Sequence, residues 1–218
     1  HDQFIQKKFS LKNEDCAHYL HCIEPYISEV LISAQNYFEI KKLAHYFNSG
    51  VSSFFGFESH LNSPDARSDY LFAVSSKRGE REIFANFLQN GKEAKHLLQR
   101  QEWQHLKNFT TTWTDPKSEL YLNVLGLWLE FDSAELSQHI PIPCVFIHTI
   151  PLRIGSSEEE SKYDWVFNTA VSLLLGHPLS YELHQRLLHA LHLIPEGASV
   201  MDIGFMLSRS TSGVRLVF

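Results

Sequence analysis

The sequence predicts an α+β fold: a mostly antiparallel sheet of about five to six strands in hairpins, covered by five or six helices, in one domain over residues 1–218. Three observations carry that expectation. Residues 125–132 alternate, with Leu125, Leu127, Leu129 and Phe131 on one side and Gly126, Trp128, Glu130 and Asp132 on the other, so one face of a strand enters a core. Cys144–Thr149 is a short apolar run rich in β-branched and aromatic residues, placed after Pro141 and Pro143, whose missing N–H groups fix where pairing can start. Segments with helical spacing lie before, between and after these strands, and hairpins separated by helices point to antiparallel pairing, not a doubly wound parallel sheet.

From the N-terminus, residues 1–13 are polar and aperiodic. Asp15 is placed to cap a short helix over 16–24. Pro25 suits the first turn of a further helical stripe that includes Ile27, Val30, Leu31, Ala34, Tyr37, Phe38, Ile40, Leu43, Ala44 and Phe47. One long helix and two shorter ones both fit, and Asn48-Ser49-Gly50 ends the stripe. Residues 51–69 read as a loop through Gly56, Asn62, Ser63 and Pro64. Phe54, Phe55 and Phe57 within it plug the edge of the core or, in a sharper reading, form an apolar lid.

Residues 70–75 are a strand, 76–79 a turn and 80–88 a helix stopped at Gly91, with a returning strand as the alternative for 80–88. A longer helix follows over 92–113, weakened at its end by Thr110–Thr112. Asp115-Pro116 turns the chain into the central pair, whose connection, 133–140, is mostly polar. Residues 154–162 are the most polar segment, with three glutamates suited to the N-terminus of the next helix. That helix, 163–175, is apolar on most of its surface and should be buried. Gly176-His177-Pro178 stops it, and Ser180 caps a helix over 181–194. Residues 201–209 and 214–218 then form a hairpin, with Ile203, Phe205 and Leu207 facing as Val214, Leu216 and Phe218 do.

The totals narrow the function. A formal net charge of −6, with no basic stripe, argues against a nucleic-acid partner. No run is long enough to cross a membrane. Three dispersed cysteines suit a reducing compartment, which gives a cytoplasmic expectation. The chain starts at His1 and ends at Phe218 within an expected strand, so it reads as a piece of a longer protein.

Phosphate-cradling glycine loops, nucleophile elbows, the HExxH zinc motif and paired-cysteine motifs are missing, so the phosphate-cradling and common metalloprotease readings have no sequence support, and the cofactor is left unknown. Cys16, His18, His21 and Cys22 group on the first helix, but Cys16 and His18 point to different sides, and an ordinary helix is the preferred reading over a metal site. His189, His192 and Gln185 read as a solvated face.

The strongest candidate site is the polar face of the central sheet. If the two strands pair with those sides together, Glu130, Asp132 and His148 supply acid–base groups, and Trp128 and Phe146 line the same surface. Arg209 and Arg215 from the final hairpin could hold an anionic, partly apolar ligand there. The plainer reading is a face that is simply wet or internally paired.

Two function classes remain open. One is a binding or assembly module within a larger protein, with a protein partner. The other is a small-molecule, transferase-like enzyme whose hairpins and helices curl into a closed αββα barrel. Aromatic prenyltransferases have that architecture, and the likeness is one of fold alone. Partner identity and oligomeric state are open at this level.

Overall fold

The computed structural model describes residues 15–60, 65–152, 163–209 and 213–218. The expectations for residues 1–13, for the turn at 62–64, for the acidic segment 154–162 and for the tip of the last hairpin, 210–212, lie outside these.

Among the described residues, six strands form one antiparallel sheet in the order β1 Phe54–Ser59, β2 Ser68–Ser75, β3 Val124–Phe131, β4 Cys144–Leu152, β5 Val200–Phe205 and β6 Val214–Val217. Every strand pairs with its neighbours in sequence, so among the described residues β1 and β6 are the two edges. The α helices are α1 Cys16–Ile23, α2 Ala34–Ala44, α3 Glu80–Asn90, α4 Ala94–Leu97, α5 Gln101–Trp113, α6 Glu119–Asn123, α7 Val171–Leu175 and α8 Tyr181–His192. A π-helical segment, Trp165–Ala170, leads into α7.

One side of the sheet carries the core. Phe72 and Val74 of β2, Leu127, Leu129 and Phe131 of β3, Val145 and Ile147 of β4, and Ile203 and Phe205 of β5 are all buried. Each helix adds at least one side chain to the same cluster. Aromatic rings knit its centre: Phe47 and Phe72 lie 4.8 Å apart between centroids, and Trp103 and Phe131 lie 6.2 Å apart. Two buried indoles also anchor α5, with Trp103 Nε1 donating to Pro141 O in the β3–β4 loop at 2.8 Å and Trp113 Nε1 to Val124 O at the start of β3 at 3.0 Å.

Several local expectations hold for the stated reasons. Asp15 accepts from His18 N and Ser180 from Leu183 N, each a side-chain N-cap. Gly176 ends α7 at φ 76°, a left-handed conformation that glycine enters without penalty.

Others are corrected. Residues 54–59 are a strand, not a loop: Phe55 and Phe57 pack against the core, while Phe54 faces the other side at 51% exposure. Leu125 does not face the core as strict alternation requires. Val124 pairs with Thr149 and Gly126 with His148, so Leu125 is the extra residue of a β-bulge and Val124 takes the inward place. The stripe over 27–47 is shorter than its pattern. Ile27 is extended, Ser33 caps α2 through Asn36 N, and Val30 lies 83% exposed in the intervening turn. The helix over 92–113 is broken because Arg100 is extended, which separates α4 from α5. Its threonine-rich end does not fray: Thr110, Thr111 and Thr112 donate their hydroxyls back to the carbonyls of Lys107, Lys107 and Asn108. Among the described residues, no helix is long and apolar enough to cross a membrane.

Candidate functional site

The register of β3 with β4 decides what the outer face presents. Trp128 lies opposite Phe146, and Glu130 opposite Cys144. Directly opposed residues share a face, so the side carrying Trp128 and Glu130 does meet the side carrying Phe146 and Cys144.

A row therefore runs across all six strands: Phe54, Ala73, Trp128, Phe146, Gly204 and Arg215. Five strand spacings make it about 24 Å long. Small residues let the rings lie down. The Phe54 ring meets Trp128 edge-on at 5.3 Å across Ala73. The Phe146 ring covers Gly204, where a Cβ would stand 2.6 Å from a ring carbon.

Beside the row sits an acidic cluster. Asp69, Glu130 and Asp132 each offer a carboxylate oxygen, all within 4.8 Å of one another. Asp69 is buried, accepting from Ser133 N at 2.6 Å and meeting His60 Nε2 at 3.1 Å. Arg209 grips Asp132 with two bonds, Nη2 to Oδ1 at 2.7 Å and Nε to Oδ2 at 3.1 Å, and stands 3.9 Å from Glu130. The Ser208 hydroxyl donates to Asp132 Oδ2 at 3.1 Å, and the Cys144 thiol lies 3.1 Å from that hydroxyl. Thiol, hydroxyl and carboxylate thus form a short chain.

The carboxylates differ in character. Burial works to raise the pKa of Asp132, but its hydrogen bonds and charge interaction with Arg209, with help from Ser208, hold it below the ordinary carboxylate value. Glu130 is raised, first by burial and then by Glu58, Asp132 and Asp69, with Arg209 only partly offsetting them. Burial likewise raises the Cys144 thiol. Three oxygens this close could ligate a hard divalent cation; here the positive charge at the cluster is the Arg209 guanidinium.

Comparison with protein-family models, curated proteins and solved structures finds no match.

The expected site residues divide into three places. Trp128, Phe146, Glu130, Asp132 and Arg209 come together. His148 is on the same face but opposite Gly126, four residues along β4 from Cys144, or about 13 Å. It pairs through Nδ1 with Asp202 Oδ1 at 2.9 Å, so its carboxylate partner comes from β5, not from Glu130 or Asp132. Arg215 is exposed on β6 opposite Gly204, at the end of the row, while Arg209 is engaged with Asp132, so the two arginines do not form a clamp. Asp69, Ser208 and Asp202 were not singled out by the sequence. Each is contributed by a segment distant in sequence, and only register brings it in.

The first-helix grouping does not converge. Cys16 points into the core with its thiol raised to about 12 by burial, while Cys22 is exposed, 3.8 Å from His18 Nε2. The two thiols of this helix thus lie in different surroundings, one buried and one exposed.

Proposed function

We propose that the chain is a binding or assembly module whose outer sheet face docks a protein segment carrying Lys or Arg beside apolar side chains. The observation behind this reading is Glu130. Its carboxylate is raised in pKa by burial and by three neighbouring acids, while the nearest cation, Arg209, is engaged by Asp132. An incoming cation would relieve that repulsion, and the aromatic row would supply contact area beside it. Glu58, exposed on the same face, adds to the attraction.

A row about 24 Å long suits a polypeptide better than an enclosed small molecule. The transferase-like alternative, with Glu130, Asp132 and His148 acting together, is weakened by the separation of His148 from the acids. Three free cysteines keep the cytoplasm as the proposed setting.

Selection from a random displayed-peptide library on the purified chain tests the reading. Enriched sequences should combine Lys or Arg with Leu, Phe, Tyr or Trp, and lose binding to Trp128→Ala and Glu130→Gln. Enrichment of acidic sequences, or binding indifferent to both substitutions, would overturn it.

A further inference from the structure

A cleft lies between α3 and the loop that precedes β1. It has a volume of about 810 Å³, within the range of roughly 300–1,000 Å³ usual for small-molecule sites. One wall is α3, whose Glu80, Ile83, Phe87 and Asn90 follow one another at helical spacing along about 15 Å of its axis. The opposite wall is the turn at Asn48 and Gly50, and Tyr19 of α1 also lines the cleft.

The lining has a particular chemistry. Ile83 is 41% exposed, and with Tyr19 and Phe87 it makes an apolar bed. Three carboxamides surround that bed, and among the described residues each makes one side-chain hydrogen bond. Asn90 Nδ2 donates to Asn86 Oδ1 at 2.8 Å, and Asn48 Oδ1 accepts from Gly50 N at 2.8 Å. These bonds leave Asn86 and Asn48 with donors to offer and Asn90 with an acceptor. Glu80 is 4% exposed and uses one carboxylate oxygen, Oε2, to accept from Ser75 N at 2.7 Å. Among the described residues, no hydrogen bond is shown for its other oxygen. Formal charge is balanced, with Arg78 at one end against Glu80.

We propose that this cleft binds a neutral saccharide. Neighbouring hydroxyls of a sugar both donate and accept, which matches the carboxamides and the carboxylate of this lining. The C–H face of a pyranose ring is apolar and would lie on Ile83, Phe87 and Tyr19. Arg78 and Glu80 offset each other, so the lining carries no net charge that would select an anion or a cation. The length of the α3 wall admits a short oligosaccharide.

The test is saturation-transfer NMR and calorimetry with a panel of neutral mono- and oligosaccharides at millimolar concentration. The chain is compared with Asn86→Ala, Asn90→Ala and Glu80→Gln. Asn86 and Asn90 are exposed, and glutamine keeps an oxygen for Ser75 N, so circular dichroism should show all three folded. The expected result is binding of at least one saccharide, weakened about tenfold by loss of either asparagine. It should be unchanged by Trp128→Ala, which separates this cleft from the sheet face. Absence of binding across the panel, or binding insensitive to all three substitutions, overturns the proposal.

Discussion

Leu127→Ala and Leu125→Ala are the same chemical change two positions apart on one strand, and they should differ sharply in cost. Leu127 is fully buried, facing the helices opposite Val74 and Ile147. Truncation removes three carbons, about 2.4 kcal/mol at about 0.8 kcal/mol per buried group, and a further term for the cavity brings the total to about 3–4 kcal/mol. Leu125 occupies the β-bulge, is only partly buried and stands outside the core cluster. Its truncation leaves no closed cavity, so about 1 kcal/mol or less is expected. Urea denaturation followed by far-UV circular dichroism reads the difference. With a slope of about 2–3 kcal/mol per molar, Leu127→Ala should lower the midpoint by roughly 1–2 M and Leu125→Ala by less than about 0.5 M. Equal midpoints would refute the bulge and restore strict alternation through Leu125.

The outer face gives the remaining predictions. Asp132→Asn should cost about 1 kcal/mol or less at neutral pH, because Arg209 is partly exposed and the pair is screened. Asp132 is lowered in pKa, so its contribution is present above the ordinary carboxylate value and lost as pH falls through the lowered one; denaturation midpoints of the variant and the parent should converge in acid. Glu130→Gln should have the opposite sign. A raised acid is penalised when ionised, so the variant should match or exceed the parent at neutral pH, and its advantage should vanish as Glu130 protonates. Gly204→Ala should lift the Phe146 ring and cost about 1–3 kcal/mol in the same urea assay. Of the four tryptophans, Trp103, Trp113 and Trp165 are buried and Trp128 is half-exposed, so Trp128→Phe should remove most acrylamide-quenchable fluorescence.

The sequence carries the signals of an element that acts alone and hides those that depend on a distant partner. Leu127, Leu129 and Phe131 are legible as a core face because period two needs no neighbour to be recognised. Asp15, Ser180 and Gly176 are legible because capping and left-handed backbone are local chemistry. β1 is missed because Phe54 on the outer face masks the alternation of Phe55 and Phe57. The break at Arg100 and the exposed Val30 escape because helical spacing persists where the backbone does not follow it. The site is half legible for the same reason. Trp128 and Glu130 share a side by periodicity, as do Phe146 and Cys144, but the pairing that joins them is set by the loop and the bulge. That pairing also sends His148 to Asp202 and Arg209 to Asp132, outcomes no single strand encodes.

Backbone-amide chemical-shift mapping of the chain with a selected basic, apolar peptide tests the docking face most directly. Shifts should concentrate on β1 to β4 around Phe54, Leu71, Trp128, Glu130 and Phe146, and disappear in high salt with Glu130→Gln. Shifts confined to the helices, or unaltered by salt and by that substitution, would contradict the account.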